Sequence, residues 1–330
     1  MTQTVADLLL LLATAIWGST FPVVKDTISS IRPFTFLAVR FLTADCALLL
    51  YLGARHLFRL GSRQEPPPVS PSGLRQGSCT ATLSGCVITG MVLLFAYCFQ
   101  TFGMLTVPAG KAAFIVGMSV VIVPVVSAIL FKIAPDTNTS IGVILAASGL
   151  GFMSLTLPFT VQRGDLLVFL GACGYAAHIL LVGVHSKRNA PVVFSAVQVT
   201  TVCVGAFVAA ILFERPLVIP RQAWGAILYC GIVASAFGIM IQSSVQRYTS
   251  PTHAAVIYTG EPVFGALFSW LILGETLSPR EYTGAALILA GMLVSKLAPG
   301  KGQRKEQPDR ERPDGEPPGE EQLVTVRPDI

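Results

Sequence analysis

Residues 109–131 read AGKAAFIVGMSVVIVPVVSAILF, a run of 23 residues in which Lys111 is the only charged side chain. A membrane-spanning α-helix needs about 20 predominantly apolar residues. Because lipid offers no hydrogen-bond partner to a bare backbone, such a run is stable in a bilayer as a helix, whose N–H and C=O groups bond within the segment. The stretch therefore predicts a transmembrane helix.

Nine other stretches share this character, so the chain divides into ten predicted helices. Their expected bounds are 8–25, 34–52, 78–102, 109–131, 139–157, 165–184, 192–213, 222–246, 252–273 and 281–298. The composition agrees, since 52% of the 330 residues are hydrophobic and only 12% are charged, whereas about a quarter of the residues of a globular protein are charged. We therefore expect an all-α integral membrane protein and exclude a soluble enzyme.

Two segments differ from the rest. Residues 53–77 combine four arginines with four prolines, which is typical of a flexible basic loop. Residues 299–330 are rich in proline and in charges of both signs but poor in aliphatic side chains. Such a segment cannot offset its ordering entropy by burial, so we expect a disordered tail.

The chain also matches itself at two offsets. The matched pairs are Asp7 with Asp165 and Pro33 with Pro191 at an offset of 158, then Gln100 with Gln242, Ala112 with Ala254, Gly142 with Gly284 and Gly149 with Gly291 at 142. The longer loop 53–77 accounts for the change of offset. Because each copy holds five helices, an odd number, the second copy must enter the membrane in the opposite sense. The expected architecture is two inverted five-helix repeats, as in many secondary transporters, with domains 7–157 (helices 1–5), 158–298 (helices 6–10) and a cytoplasmic tail, 299–330.

Several short motifs in both copies are shared with a known family. In the first copy they are Trp17-Gly18, Arg40 after Pro33, and Ala109 to Phe114 ahead of Pro124. In the second copy they are Ser250 to Ala255, Glu261-Pro262, Gly274-Glu275 and the spacing of Gly284 and Gly291. Over residues 7–298 the chain resembles the EamA family of the drug/metabolite transporter superfamily.

The resemblance implies a ten-helix carrier of small metabolites with a central cavity lined chiefly by helices 1, 3, 4, 6, 8 and 9. The chain departs from the motif at one place, because Lys132-Ile133 stands opposite Gly274-Glu275. A symmetric acidic role at these helix ends is therefore not expected.

Glu261 is the first candidate binding residue, since a carboxylate near the middle of a membrane helix is costly unless it is paired, protonated or hydrated. Pro262 beside it removes a backbone donor and predicts a kink, as does Pro124 in helix 4. A hydrogen bond to a neighbouring helix is the alternative role for Glu261.

Arg40 and Asp45 are charges within helix 2. Five residues turn a helix by about 500°, so the two side chains point in different directions. We assign Arg40 a gating or structural role and expect Asp45 to pair with another helix.

The remaining candidates are polar or aromatic residues on the expected cavity helices. They are Trp17, Gln100, Lys111, Tyr175, His178, Gln242 and Tyr258. Aromatic rings could stack on a flat substrate, the two glutamines could bind it from both halves, and His178 could move a proton. Each also has an ordinary alternative, which is helix packing, an interhelical hydrogen bond or, for Lys111, an interfacial anchor.

Other classes of site are not indicated by the sequence. The seven cysteines lie in apolar stretches without a CxxC spacing, and no HExxH, GxSxG or phosphate-binding lysine loop occurs. We therefore expect no catalytic residue, no metal and no cofactor. The basic residues are scattered, which does not favour nucleic-acid binding.

The sequence thus favours a secondary transporter, or permease, that moves a small metabolite, such as an amino acid or a related compound, by alternating access. A membrane channel and a non-transporting membrane scaffold are the alternatives. The expected partners are the substrate and the lipid bilayer, with a proton as candidate coupling ion and a homodimer as candidate assembly. The lysines and arginines of the tail favour cytoplasmic termini, and the resemblance implies a bacterial plasma (inner) membrane.

Overall fold

A computed structural model of the chain describes residues 2–61, 79–130, 132, 135–154, 162–273 and 278–296. The α-helices within these ranges are α1 (Gln3–Thr27), α2 (Pro33–Gly61), α3 (Cys79–Gly103), α4 (Ala109–Gly117), α5 (Ser119–Leu130), α6 (Thr137–Ser154), α7 (Arg163–His185), α8 (Pro191–Phe213), α9 (Trp224–Leu228), α10 (Gly238–Val245), α11 (Pro251–Tyr258), α12 (Glu261–Leu273) and α13 (Pro279–Lys296). A π-helix, Tyr229–Phe237, joins α9 to α10, and short 3₁₀ turns occupy Arg221–Ala223 and Gln246–Tyr248.

Seven segments of the described chain are long and apolar enough to cross a membrane. They are Gln3–Thr27, Pro33–Leu57, Leu83–Gly103, Ala109–Leu130, Arg163–His185, Pro191–Phe213 and Arg221–Tyr248. Two shorter apolar helical stretches, Thr137–Phe152 and Tyr282–Ser295, follow the same pattern. The all-helical, membrane-protein character expected from the composition is confirmed.

The second helix is longer than its apolar stretch predicts. It was expected to end at residue 52, but α2 continues to Gly61. Residues 53–61 include Ala54, Leu57 and Leu60, which favour helix, and arginines also have a high helix propensity. The first part of the expected basic loop is therefore helical, whereas residues 62–77 and 299–330 lie outside the described residues.

Two predicted helices are interrupted near their middle. Residues 109–131 form α4 and α5 with a break at Met118, and residues 252–273 form α11 and α12 with a break at Thr259–Gly260. The second break adjoins Pro262, which cannot donate a backbone bond to the preceding turn. Pro124 instead lies inside α5, so the first break does not occur at the proline expected to cause it. Met118 and Gly260 are 142 positions apart, the second of the two repeat offsets.

Helices that precede residue 155 pack closely against helices that follow residue 161. In this way α6 packs along α13, α3 along α7 and α2 along α8. Between α6 and α13 the backbones approach directly, since a Cβ atom on Gly149 would lie 2.6 Å from the carbonyl oxygen of Gly284, and one on Gly291 would lie 2.7 Å from that of Gly142. The repeat glycines are thus where the two helices touch.

The C-terminal end of α1 and the N-terminal end of α7 lie at the same end of the bundle. Lys25 at the end of α1 donates to the carbonyl oxygen of Met104 at 2.5 Å, and Gly164 at the start of α7 packs against the carbonyl of Gly103. At the opposite end, Gly183 of α7 packs against Pro251. The helices α1 and α7 therefore run in opposite directions.

Candidate functional site

A cavity of about 70 Å³ lies among α1, α2, α3, α4, α5, α7, α10, α11 and α12. Its wall is formed by Trp17, Thr20, Phe21, Val24, Arg40, Leu93, Tyr97, Gln100, Thr101, Val116, Gly117, Ser119, Tyr175, His178, Ile179, Ile239, Gln242, Tyr258 and Glu261. A volume of this size holds several water molecules. Polar side chains buried in the bundle therefore face a space that water or a small solute can occupy.

Most of the residues singled out in the sequence meet in this wall. They are Trp17, Gln100, Tyr175, His178, Gln242, Tyr258 and Glu261, together with Arg40. Two candidates do not. Lys111 is ion-paired with Asp165 of α7, with 2.7 Å between Nζ and Oδ2, and Asp45 accepts a hydrogen bond from the Thr200 hydroxyl of α8 at 2.6 Å.

Arg40 is the cation of the cavity wall. Its Nε donates to Ser235 Oγ at 2.9 Å, and its guanidinium carbon lies 4.8 Å from the centre of the Tyr97 ring. Only 3% of the residue is exposed. Within the described chain no hydrogen bond joins its two terminal nitrogens to a protein group, and the residue lines the cavity. Such nitrogens suit a bidentate hydrogen bond with a carboxylate.

Glu261 is the carboxylate of the wall, and it is placed by the break between α11 and α12. It is the first residue of α12 rather than a mid-helix residue. Gly18 of α1 permits this position, because a Cβ atom there would lie 2.5 Å from the Glu261 carbonyl oxygen. No hydrogen bond or ion pair to the Glu261 side chain occurs within the described ranges, so the carboxyl group is available to a solute.

Trp17 and Tyr258 form an aromatic part of the wall, with ring centres 5.4 Å apart. The Trp17 indole N–H donates to the carbonyl oxygen of Ala234 at 2.8 Å. Ala234 and Ser235 both belong to the π-helix, in which backbone bonds skip one residue further than in an α-helix. The π-helix therefore supplies the hydrogen-bond acceptors for the side chains of both Trp17 and Arg40.

The two glutamines of the wall are held differently, although they occupy equivalent positions of the two copies. Gln100 accepts a hydrogen bond from the Tyr175 hydroxyl, and Tyr175 packs edge-on against Tyr97. Gln242 donates to Gln246 at 3.0 Å, whose own amide donates to the carbonyl of Ile179 at 2.6 Å. Gln100 therefore bridges α3 and α7, whereas Gln242 is linked to α7 only through Gln246.

His178 is 2% exposed. Its Nε2 lies 2.8 Å from Gln198 Oε1, and Gln198 in turn donates to the carbonyl oxygen of Phe194 at 3.1 Å. Since that amide oxygen can only accept, Nε2 carries the hydrogen. The ring is thus held by α8 and contributes its remaining surface to the cavity.

Some wall residues were missed by the sequence reasoning. They are Thr20, Thr101 and Ser119, with Ser235 behind Arg40. Small hydroxyl residues are ordinary in membrane helices, where they often bond to their own backbone, so composition gave no signal. The position of Ser119, 142 residues before Glu261, is the clue that was available.

The wall provides one guanidinium, one carboxylate, aromatic rings and uncharged amides and hydroxyls. This set can hold a small polar molecule by both of its charged ends. Across the described ranges, no group of three or more His, Cys, Asp or Glu side chains gathers as a metal site.

Comparisons with known proteins agree in placing the chain among membrane transporters. The family model of the EamA-like transporter family matches residues 4–155 and again residues 162–297. An uncharacterized transporter of Archaeoglobus fulgidus is 31% identical over 292 residues, which cover 88% of this chain and 86% of the relative. A probable amino-acid metabolite efflux pump of Salmonella typhimurium is 22% identical over 300 residues, which cover 87% of this chain and 93% of that relative.

The fold also has a solved counterpart. One crystal structure aligns with a TM-score of 0.71 at 17% identity, covering 92% of this chain and all of the other. Likeness at this identity concerns the fold alone. Since the family model covers nearly all of the described chain, this multi-pass membrane protein belongs to the EamA-like transporter family.

Proposed function

We propose that the protein is a secondary transporter that carries a small zwitterionic metabolite, of the amino-acid kind, across the plasma membrane by alternating access to the central cavity. The observation that carries the proposal is that the wall of one cavity holds both a buried guanidinium, Arg40, and a carboxyl group, Glu261, which has no protein partner among the described residues. A zwitterion would neutralise both charges at once.

Each end of such a substrate has a chemical match in the wall. Its carboxylate would accept hydrogen bonds from the terminal nitrogens of Arg40, and its ammonium would lie against Glu261. The ring faces of Trp17 and Tyr258 would favour the cation and any apolar side chain. The relatives named as amino-acid metabolite efflux pumps in Salmonella typhimurium and Escherichia coli support this substrate class.

The architecture that we propose is ten membrane segments arranged as two inverted repeats, 7–157 and 158–298. The two separate family matches support it, as do the helix breaks 142 positions apart and the opposite directions of α1 and α7. Inverted repeats place a shared binding site near the midplane and let it open to either side in turn. We infer cytoplasmic termini from the basic residues near the C-terminus.

The proposal includes a proton as the driving ion. Glu261 and His178 are titratable side chains of the cavity wall, and a carboxylate without a protein partner can exchange protons with water that enters the cavity. An imposed pH gradient should therefore drive accumulation of substrate in sealed proteoliposomes, and a protonophore should abolish it.

The decisive experiment is flux into proteoliposomes with three matched compounds. These are a labelled amino acid, its methyl ester, which lacks the carboxylate, and its deaminated acid, which lacks the ammonium group. We expect saturable flux of the amino acid and weak competition by the other two. Folded protein without saturable flux of any amino acid would overturn the proposal, and a non-saturating current would favour the channel instead.

A further inference from the structure

Among the described residues, two acid–base side-chain pairs lie outside the cavity and are related by the internal repeat, and the histidine pair is ionic when His253 is protonated. His253 Nε2 lies 3.2 Å from Asp7 Oδ1, and Lys111 Nζ lies 2.7 Å from Asp165 Oδ2. Asp7 and Asp165 differ by the offset of 158, whereas Lys111 and His253 differ by the offset of 142. Each pair therefore joins an equivalent acid and an equivalent base across the two copies.

The pairs connect the same kinds of element. Asp7 lies near the start of α1 and His253 near the start of α11, while Asp165 lies near the start of α7 and Lys111 near the start of α4. Both α4 and α11 are the first parts of the interrupted helices. The free end of each interrupted helix is thus tied to the opposite copy by one ion pair.

The pairs also lie at opposite ends of the bundle. Asp165 lies at the end where Lys25 meets Met104, whereas Asp7 is 18 residues before Lys25 on α1, which corresponds to about 27 Å along a helix. The α1 residues of the cavity wall, from Trp17 to Val24, fall between these levels. The cavity therefore has an ion pair beyond each of its two ends.

The two pairs are built with unequal protection from solvent. The side chains of His253 and Asp7 are 11% and 9% exposed. His253 Nδ1 lies 3.0 Å from the Ser295 hydroxyl of α13, and Gln3 donates to Asp7 at 3.0 Å. Lys111 is 38% exposed, although its partner Asp165 is only 10% exposed. An ion pair with one solvent-exposed partner is screened and contributes less, whereas removing one partner of a pair that is buried on both sides has a larger cost.

We propose that these pairs are the latches of two gates, one at each end of the transport pathway, that open in turn during the cycle. The Lys111–Asp165 latch is the weaker one, so the cavity opens more readily at that end. This proposal rests on the proposed transport function, because a gate has a purpose only if a solute passes through the cavity.

The test is the accessibility of one cavity thiol from each side of the membrane. The seven native cysteines are replaced by alanine and Ser119 by cysteine, because Ser119 lines the cavity and cysteine has nearly its shape. A membrane-impermeant maleimide is then applied to right-side-out and to inside-out vesicles. Exposed positions near each end serve as reporters of vesicle sidedness, in separate Ser29→Cys and Arg188→Cys variants.

The expected pattern is specific to each end. Starting from faster labelling at the Lys111 end, Lys111→Gln and Asp165→Asn should raise labelling from that end about two- to fivefold, as for the loss of a pair with one solvent-exposed partner. Asp7→Asn and His253→Gln should raise labelling from the other end by more than about tenfold, since that pair is buried. Labelling of the two sidedness reporters should not change.

The exchanged pair Lys111→Asp with Asp165→Lys separates a latch from a merely structural contact. It should restore the labelling pattern of the parent protein, while either single reversal should not. Equal labelling changes from both sides, or none in a variant that melts at the parental temperature, would overturn the latches. Side-specific labelling in a protein that transports no amino acid would instead refute the proposed function and leave the latches standing.

Discussion

The indole nitrogen of Trp17 and the carbonyl oxygen of Ala234 lie 2.8 Å apart, in a hydrogen bond that ties α1 to the π-helix. In a regular α-helix that carbonyl would be the acceptor of the backbone bond four residues on. In the π-helix the backbone bonds run five residues on instead, and this carbonyl accepts the indole N–H of Trp17 from another segment. The bond fixes the ring that faces the cavity and Tyr258.

Trp17→Phe should therefore destabilise the protein and weaken transport. Phenylalanine keeps an aromatic face toward Tyr258 but leaves a buried carbonyl without its side-chain donor, which costs about 1–3 kcal/mol. Thermal unfolding in detergent and the KM of flux measure the two effects. Trp224→Phe is the matched control, because Trp224 is exposed, and it should change neither. Equal effects of the two substitutions would contradict the role of the bond.

Glu261→Gln should strongly reduce flux while leaving thermal stability close to that of the parent protein. No protein group in the described chain loses a partner, but the substrate ammonium loses its counter-charge, so we expect flux to fall by more than about tenfold.

Glu214→Gln is the opposite control. Glu214 accepts the backbone N–H groups of Phe34 and Thr35 at 3.0 and 2.8 Å at the start of α2. Its substitution should lower stability by about 1 kcal/mol with little change in KM. If Glu261→Gln lowered stability as much as Glu214→Gln and kept flux, Glu261 would be a structural residue.

The Arg40→Lys variant should bind the carboxylate of the substrate less well. Lysine keeps the charge but lacks the planar, bidentate guanidinium and the Nε donor to Ser235. We expect the KM of the amino acid to rise about tenfold, with little change in inhibition by its methyl ester. Ser235→Ala should reproduce a smaller part of the effect, because it removes only the anchor of the side chain. A similar loss for ester and amino acid would argue against carboxylate recognition.

Gly149→Ala should destabilise the protein. Its new methyl group would lie 2.6 Å from the Gly284 carbonyl oxygen, and overpacking of this kind costs about 1–3 kcal/mol. Gly225→Ala is the control, since nothing lies within 4 Å of a Cβ atom there. It should be neutral or mildly stabilising, because alanine favours helix. The comparison is made by thermal unfolding in detergent, and equal melting temperatures would contradict the close approach of α6 to α13.

Asp136→Ala should lower stability at neutral pH but not in strong acid. Partial burial of the Asp136 carboxylate opposes its ionisation, but hydrogen bonds from the side chain and backbone of Thr139 outweigh it and lower its pKa. A lowered pKa means that the ionised form stabilises the fold above the unfolded pKa, and that this contribution is lost as the pH falls through the folded pKa.

The expected difference is about 1 kcal/mol at pH 7, as for loss of an N-cap. Unfolding of the variant and of the parent protein is compared from neutral pH downward. The two curves should converge below the ordinary range of aspartate, and a constant gap would contradict the assignment.

Much of the cavity wall could be predicted from the sequence, because a polar or charged side chain inside an apolar membrane helix carries an energetic cost and therefore indicates a partner or a function. Glu261, Arg40 and His178 are polar groups in apolar helices, and the repeat brought Gln100 and Gln242 to equivalent places. Lys111 was a candidate for the same reason, but it lies at a helix end and forms an ion pair with Asp165 instead of lining the cavity. Sequence spacing along α4 could not indicate a partner 54 residues away.

The shape of the helices was less predictable than their existence. The breaks at Met118 and Thr259–Gly260 and the π-helix at Tyr229–Phe237 depend on contacts between segments. The apolar pattern of those stretches is compatible with unbroken helices, and only Pro262 gave a local reason for one break. Hydrophobicity therefore defined the segments, and tertiary contacts defined where each one bends.

The hydrogen bonds from Phe34 and Thr35 to Glu214 join the residue directly after α8 to the first turn of α2, and glycine contacts join α6 to α13. Each junction combines a segment from the first part of the polypeptide with one from the second. We expect such junctions to move as rigid units in the proposed transport cycle. The sliding surfaces would then lie away from the boundary between the two halves of the sequence, and each moving body would combine segments of both.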